Sequence, residues 1–246
     1  MSPNKREREY ARRRYEEWQR RRDAARARKR RQRLIAGGVV GALIVALGIT
    51  GALALGRSTP SVLPSSSPTV TPTLPDPSVA ESRAWTGTIT TNVGAIGITL
   101  DGAAAPQAVA NFVSLARQGY FTSTPCHRLV TGGIKVLQCG DPTGTGTGGP
   151  GYSWGPIENA PANNVYPAGT IAMARTSGDG SSMGSQFFLV YQDSTIPADS
   201  AGGYTVFGHI TSGLDVVQAV AAAGVTGGAT DGAPATAVTI EGVEVQ

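Results

Sequence analysis

Hydrophobic and polar positions divide the chain into four stretches. Residues 1–33 are dominated by charged side chains, and residues 34–55 form a run of 22 apolar or small residues. Residues 56–83 are rich in proline, serine and threonine, and residues 84–246 mix short apolar runs with glycine-rich turns. This pattern predicts a basic segment, a membrane-spanning helix, an extended linker and one folded domain.

Most of the predicted domain has the alternation that is typical of β-strands. Residues 85–91 and 95–100 place β-branched side chains around Asn92-Val93-Gly94, which predicts a hairpin. Further strands are predicted at 126–130, 134–139, 169–174, 186–191, 204–210 and 236–245.

Two stretches have helical spacing. Pro106 and Gly119 bound a segment whose apolar side chains recur on one helical face, and residues 213–223 predict a second helix. Many short strands with only two helices predict a mainly β domain, either an antiparallel barrel or a sandwich.

The apolar run at 34–55 is long enough to cross a bilayer, which takes about 20 residues of helix. A buried helix in a soluble domain is the alternative, but such helices are seldom this long and uniformly apolar. A cleaved signal peptide is a second alternative, because Ala52-Leu53-Ala54 resembles a cleavage site. Signal peptides usually have shorter apolar regions, so an uncleaved anchor that contacts membrane lipid is favoured.

Charge predicts the orientation of this anchor. Residues 1–33 hold 15 basic and 5 acidic side chains, and basic residues remain on the cytoplasmic side of a membrane. We therefore expect a single-pass plasma-membrane protein with a cytoplasmic N-terminus and an extracytoplasmic C-terminal domain. Prolines at 60, 64, 68, 72, 75 and 77 predict that residues 56–83 form an extended spacer.

Composition changes this picture little. The whole chain has a net charge of +4, which would suit nucleic-acid binding, but residues 34–246 hold 6 basic and 12 acidic side chains. The basic excess lies beside the predicted membrane helix, where it meets anionic headgroups, so no nucleic acid is expected as a partner.

Nucleotide, metal and hydrolase sites are not expected either. The glycine-rich run at 144–151 lacks the Lys-Ser/Thr ending of a P-loop. The only two histidines, His127 and His209, have no acidic residue at ligand-like helical spacing, and the GSQFF segment around Ser185 lacks the second glycine of a hydrolase G-x-S-x-G elbow. We therefore expect neither a metal nor a cofactor.

Three motifs follow one another in the domain: APQAVANFVSLARQGYFTSTPCHRLVTGGIKVLQCGD, then MARTSGDGSSMGSQFFLVY, then YTVFGHI. In this order they resemble the cyclophilin family of peptidyl-prolyl isomerases, over roughly residues 84–246. The resemblance implies a cyclophilin-like closed eight-stranded antiparallel β-barrel capped by two α-helices. It also implies peptidyl-prolyl cis-trans isomerase activity.

The resemblance assigns site residues one by one. Arg128 matches the catalytic arginine, and Gln138 matches the glutamine that works beside it. Phe188 matches the floor of the proline pocket. The other substrate-binding positions that the resemblance implies are Val136, Ala174, Arg175, Gln186, Ile196 and Tyr204.

Some of these positions depart from the family pattern. Arg175 replaces the usual asparagine and is expected to add a positive group to the groove. Lys135 stands where a phenylalanine is common beside the catalytic arginine. Its ammonium group could point away from the pocket, or it could repel Arg128 and weaken catalysis.

Cys126 and Cys139 lie on the two strands of one predicted hairpin, on the side of the membrane where disulfides persist. If Arg128 and Gln138 share a face, strand alternation places the two cysteines on opposite faces. A bulge from inserted residues would bring them together. The sequence leaves this disulfide open.

Two functional hypotheses follow. The first is a monomeric, membrane-anchored isomerase that binds proline-containing polypeptides and assists the folding of exported or surface proteins. The second is a non-catalytic proline-peptide-binding or chaperone module on the same fold, because a fold does not determine function.

Overall fold

The computed structural model describes residues 73–246. The predicted basic segment, the predicted membrane helix at 34–55 and the linker up to residue 72 lie outside the described residues. Within residues 73–246, neither helix has the length and apolar character needed to span a bilayer.

The described part is mainly β. Its strands are β1 (Ala84–Thr91), β2 (Gly94–Asp101), β3 (Thr124–Pro125), β4 (Arg128–Val130), β5 (Val136–Cys139), β6 (Val165–Tyr166), β7 (Thr170–Met173), β8 (Phe187–Val190), β9 (Ser194–Thr195), β10 (Val206–Ser212), β11 (Asp231–Gly232) and β12 (Thr239–Val245). The helices are α1 (Pro106–Arg117) and α2 (Leu214–Ala223), with short 3₁₀ turns at Pro77–Ala80 and Thr226–Gly228. The sequence did not predict β3, β6, β9 and β11, because a two-residue strand carries no alternation.

Ten of these strands form one antiparallel sheet, in the order β11-β4-β5-β8-β7-β10-β2-β1-β12-β3. The sheet must curl strongly, because β3 and β4 lie near opposite ends of this order and are separated by two residues. The chain from Pro125 to Arg128 can span at most about 11 Å. The two ends of the sheet therefore approach each other.

The sheet is nevertheless not a closed eight-stranded barrel. Within residues 73–246, its end strands β11 and β3 do not pair with each other. The second edge of β4 is taken by β11, with Asp231 opposite Val130, so β3 cannot pair there. The structure is a curled, barrel-like sheet with two helices. The expectation of a closed eight-stranded barrel is therefore wrong in its closure and its strand count.

Two apolar clusters fill the domain. The main core surrounds α1 and includes Phe112, Phe121, Phe187 and Phe207. A smaller group, called here the groove cluster, consists of Val130, Val136, Tyr166, Ala172, Phe188, Val190 and Ile196. Successive side chains of a strand point to opposite faces, so Phe187 enters the main core while its neighbour Phe188 enters the groove cluster.

The folded part begins inside the segment that was assigned to the linker. Ala80 is fully buried, and its carbonyl accepts a hydrogen bond of 2.9 Å from the indole Nε1 of Trp85. The Gln107 side chain donates to the carbonyl of Pro75 at 3.0 Å. Residues from Pro75 onward therefore pack against the domain and α1.

The N-terminus of α1 is capped by a carboxylate from a distant loop. No side chain of the N-cap residue Ala105 serves this purpose. Glu158 instead accepts hydrogen bonds from the backbone N–H groups of Gln107 at 3.0 Å and Ala108 at 2.9 Å. A negative charge at this end of a helix is favourable, so this contact fastens the loop around residue 158 to α1.

Candidate active site

Arg128, Gln138 and Phe188 lie in one row across three adjacent strands. Arg128 in β4 is directly opposite Gln138 in β5, and Gln138 is directly opposite Phe188 in β8. The Nη1 group of Arg128 donates to Oε1 of Gln138 at 3.2 Å. Sheet register thus places a cation, an amide and an aromatic ring side by side.

A chain of hydrogen bonds continues from this row to the glycine-rich loop. Gln138 donates through Nε2 to Oε1 of Gln186 at 2.8 Å, and Gln186 donates through Nε2 to the carbonyl of Gly148 at 2.9 Å. The side-chain amides of Gln138 and Gln186 are each oriented by a hydrogen-bond partner on either side. Gln186 is thereby brought to the site, where the resemblance assigned it.

The glycine-rich loop is built around the buried carboxylate of Asp141. This group accepts hydrogen bonds from the backbone N–H groups of Thr143, Thr145, Gly146 and Gly148. Burial opposes ionisation of Asp141, but the hydrogen bonds from Thr143, Gly148 and Gly146 outweigh it and lower the pKa to about 2. A Cβ atom at Gly148 would lie 2.0 Å from Oδ1 of Asp141, so this close approach requires glycine.

The groove cluster brings together the apolar residues that the resemblance assigned to substrate binding. Val136, Phe188 and Ile196 are members of the cluster, and Ala174 and Tyr204 pack against it. The rings of Phe188 and Tyr204 meet edge to face with centres 5.5 Å apart. The backbone N–H of Ala174 donates to the carbonyl of Gln186, which leaves the Ala174 carbonyl as the atom available to a peptide.

A cavity of about 490 Å³ adjoins this site. It is bordered by Gln138 and Gln186, by the loop at 146–150 and by Tyr152. Its lining is largely polar and uncharged, in contrast to the apolar groove cluster.

The expectation that Arg175 adds a positive group to the groove is wrong. Arg175 borders the cavity, but its side chain has no exposed surface. Its guanidinium donates to both carboxylate oxygens of Asp199, at 3.0 and 2.9 Å, and to the carbonyls of Gly202 and Gly203. Hydrogen bonds from Arg175 and from the backbone N–H groups of Gly178 and Ala201 lower the pKa of Asp199.

Lys135 points away from the groove. Its ammonium group donates to the carbonyl of Thr131, and the residue borders a separate cavity beside Gln218 of α2. Ile134 packs against the groove cluster instead. Of the two outcomes left open for Lys135, the structure shows the first.

Cys126 and Cys139 are joined by a disulfide, and both are buried in the main core. The alternation argument against this bond does not apply, because Cys126 and His127 lie between β3 and β4, outside either strand. The backbone N–H of Cys126 donates to the carbonyl of Val238 at 2.9 Å, which continues the pairing of β3 with β12 by one residue. The bond therefore ties the segment that precedes Arg128 to the residue that follows Gln138.

Asp231 is a site residue that the sequence did not indicate. Its two carboxylate oxygens accept hydrogen bonds from Nε and Nη2 of Arg128, both at 2.8 Å. The hydrogen bond raises the pKa of Arg128 and lowers that of Asp231. Only a weak feature of the sequence could have indicated this residue: Asp231 is the one charged residue between Asp215 and Glu241.

Comparison with known proteins places this geometry in a family. The family model for cyclophilin type peptidyl-prolyl cis-trans isomerase/CLD matches residues 86–245. A Mycobacterium tuberculosis protein named "Probable peptidyl-prolyl cis-trans isomerase B" is 48% identical over 165 residues, which cover 62% of this chain and 52% of that protein. Peptidyl-prolyl cis-trans isomerase B of Bacillus subtilis is 41% identical over 116 residues, 47% of this chain and 75% of that protein. The chain thus spans about half the length of its mycobacterial relative.

Solved structures agree with the sequence comparison. A cyclophilin type peptidyl-prolyl cis-trans isomerase of Cryptosporidium parvum superposes with a TM-score of 0.57 at 26% identity, covering 67% of this chain and 98% of the other. The same protein, crystallised in the presence of the dipeptide Ala-Pro, superposes with a TM-score of 0.56 at 28% identity, covering 65% of this chain and 98% of the other. With its fold, its row of Arg128, Gln138 and Phe188, and a family match over most of residues 73–246, the chain belongs to the cyclophilin-type peptidyl-prolyl cis-trans isomerase family.

Proposed function

We propose that this protein catalyses the cis-trans isomerisation of X-Pro peptide bonds, with Arg128 as the catalytic residue. The observation that carries the proposal is the row in which Arg128 and Gln138 stand beside Phe188 on adjacent strands. A cation with hydrogen-bond donors is thereby fixed next to an apolar pocket, which is what rotation about a prolyl bond requires.

The chemistry needs no covalent intermediate. Rotation breaks the partial double bond of the amide, against a barrier of about 20 kcal/mol. A preorganised donor or cation lowers this barrier by stabilising the charge of the twisted amide. Arg128 has five N–H donors, of which two bond Asp231 and one bonds Gln138, so two remain for a substrate.

The groove cluster supplies the second requirement, a pocket that grips the proline ring. Val136, Phe188 and Ile196 pack together in this cluster, Phe188 lies opposite Gln138, and Tyr204 packs against the ring of Phe188. Burying the ring here removes water from the amide, which strengthens its interaction with Arg128. The substrates that fit are proline-containing polypeptides, in keeping with the Ala-Pro present with the Cryptosporidium protein.

The cellular role rests on the sequence. The apolar run at 34–55 and the basic residues 1–33 support a plasma-membrane anchor with the domain on the extracytoplasmic side. The disulfide between Cys126 and Cys139 suits an oxidising compartment. We infer that the protein acts as a monomer and assists the folding of exported or surface proteins.

The test is a cis-to-trans assay on a proline peptide with the full chain in detergent micelles. Arg128→Ala should lose most of the rate. Arg83→Ala is the matched control, because Arg83 also forms an exposed ion pair of 2.8 Å, with Glu81. Equal rates for the wild type and Arg128→Ala, or a wild-type rate no higher than buffer, would contradict the proposal.

One observation favours the non-catalytic binding module. Asp231 neutralises part of the charge that Arg128 offers to a substrate. A binding module would perturb peptide resonances in NMR spectra without accelerating the exchange between the cis and trans forms. Accelerated exchange that Arg128→Ala abolishes would exclude this alternative.

A further inference from the structure

We propose that Asp231 is a positioning residue for Arg128. Its carboxylate holds the edge of the guanidinium formed by Nε and Nη2, so that the remaining donors face Gln138 and the groove. The inference rests on the proposed isomerase function and adds to it a residue that does not itself touch the substrate.

The contact geometry supports a positioning role. Arg128 is held from two directions, by Asp231 at 2.8 and 2.8 Å and by Gln138 at 3.2 Å. Two parallel N–H···O bonds fix both the place and the plane of a guanidinium. The Arg128 side chain is 42% exposed, so without Asp231 its long flexible stem would be held at its tip by Gln138 alone.

Asp231 is itself held by backbone hydrogen bonds. It pairs with Val130 of β4, and next to it the N–H of Thr131 donates to the carbonyl of Thr230 at 2.8 Å. The segment from 224 to 235 is closed by two more bonds of 2.8 Å, from Thr226 to Ala233 and from Ala235 to Gly224. The position of the carboxylate is therefore set by the main chain.

Stability does not account for this arrangement. Arg128 and Asp231 are 42% and 51% exposed, and ion pairs this exposed contribute little to folding. The Arg83–Glu81 pair offers an internal comparison, with the same 2.8 Å separation and exposures of 43% and 54%. It is made through one hydrogen bond between the side chains, whereas the Arg128–Asp231 pair is made through two.

The experiment measures kcat and KM for a proline peptide on full-length variants, together with thermal unfolding. Asp231→Ala is compared with Glu81→Ala, the matched control, and with the isosteric Asp231→Asn. We expect Asp231→Ala to lower kcat/KM by about three- to tenfold, through kcat, because a mobile catalytic group is misplaced for much of the time. Asp231→Asn should lose less, Glu81→Ala nothing, and the unfolding temperatures of all three should stay near that of the wild type.

Two further readouts separate positioning from a general structural effect. In an Arg128→Ala background, Asp231→Ala should cause no additional loss, because the residue acts only through Arg128. In NMR spectra, the Nε–H resonance of Arg128 should exchange with water faster in Asp231→Ala than in the wild type.

The outcomes distinguish this inference from the proposed function. If Arg128→Ala abolishes activity while Asp231→Ala and Asp231→Asn keep the wild-type kcat/KM, the positioning role is overturned and the isomerase remains. A rise in kcat/KM would also overturn it, because Asp231 would then compete with the substrate. A full chain without isomerase activity would overturn both.

Discussion

The guanidinium of Arg175 lies 4.6 Å from the ring centre of Tyr204, behind the wall of the groove. Arg175 also ties this wall to Asp199 and to the carbonyls of Gly202 and Gly203. A residue expected to bind substrate with its charge therefore supports the aromatic ring that faces the groove.

Replacing Arg175 should affect both stability and substrate binding. Arg175→Gln leaves inward-facing carbonyls without donors, which should lower the free energy of unfolding by about 1–3 kcal/mol. It also removes the cation behind Tyr204, so KM for a proline peptide should rise. Urea unfolding and steady-state kinetics measure the two effects, with the exposed Arg83→Gln as control. Unchanged KM in a destabilised variant would show that Tyr204 keeps its place without this support.

The Asp141 carboxylate should make stability depend on pH. Its folded pKa of about 2 lies below the ordinary value of 3.8, so the ionised form stabilises the fold at pH values above about 4. This contribution, about 2 kcal/mol, should be lost as the pH falls from 4 towards 2. Urea unfolding of the wild type and Asp141→Asn should differ most at pH 7 and converge near pH 2. A constant difference over this range would contradict the assignment.

The cap on α1 predicts a purely structural effect. Glu158→Ala removes the acceptor of the Gln107 and Ala108 N–H groups, which should cost about 1 kcal/mol of stability. Glu244→Ala, at an exposed position of β12, is the matched control. Thermal unfolding should separate the two variants by several degrees. Equal unfolding temperatures would mean that water caps the helix equally well.

The disulfide predicts a dependence on reductant. It closes a loop of sequence separation 13, for which the chain-entropy model gives about 3 kcal/mol. Without reductant, mass spectrometry should find no alkylated cysteine, and unfolding should require more urea than with reductant. Two alkylated thiols in the unreduced protein after unfolding in urea would show that the bond is absent.

Much of the architecture could be predicted from the sequence, because alternation and helical spacing are local. Both helices begin and end within two residues of the predicted bounds, and the pairing of Arg128 with Gln138 follows from one hairpin. The contacts of Glu158 and Asp231 could not be predicted in the same way. They join residues 50 and 103 positions apart, and only the tertiary fold brings them together.

The identity of a residue also proved less informative than its partners. Arg175 and Lys135 departed from the family pattern, but their hydrogen-bond acceptors could not be predicted from the sequence. Arg175 donates to the carboxylate of Asp199, and Lys135 donates to the carbonyl of Thr131. The alternation argument, which placed the two cysteines on opposite faces, failed for a related reason. Alternation holds only within a strand, and Cys126 lies just outside one.

The two consecutive phenylalanines of β8 have a consequence for strand register. A slip of β8 by one residue would turn Phe187 to the groove face and Phe188 to the core face, so each face would still receive an aromatic ring. The same slip would move Gln186 from the groove to the core side, where its amide would lose Gln138 and Gly148 as partners. Burying an unpaired amide costs several times the thermal energy. The hydrogen bonds of Gln186 to Gln138 and Gly148 therefore favour the observed register of β8.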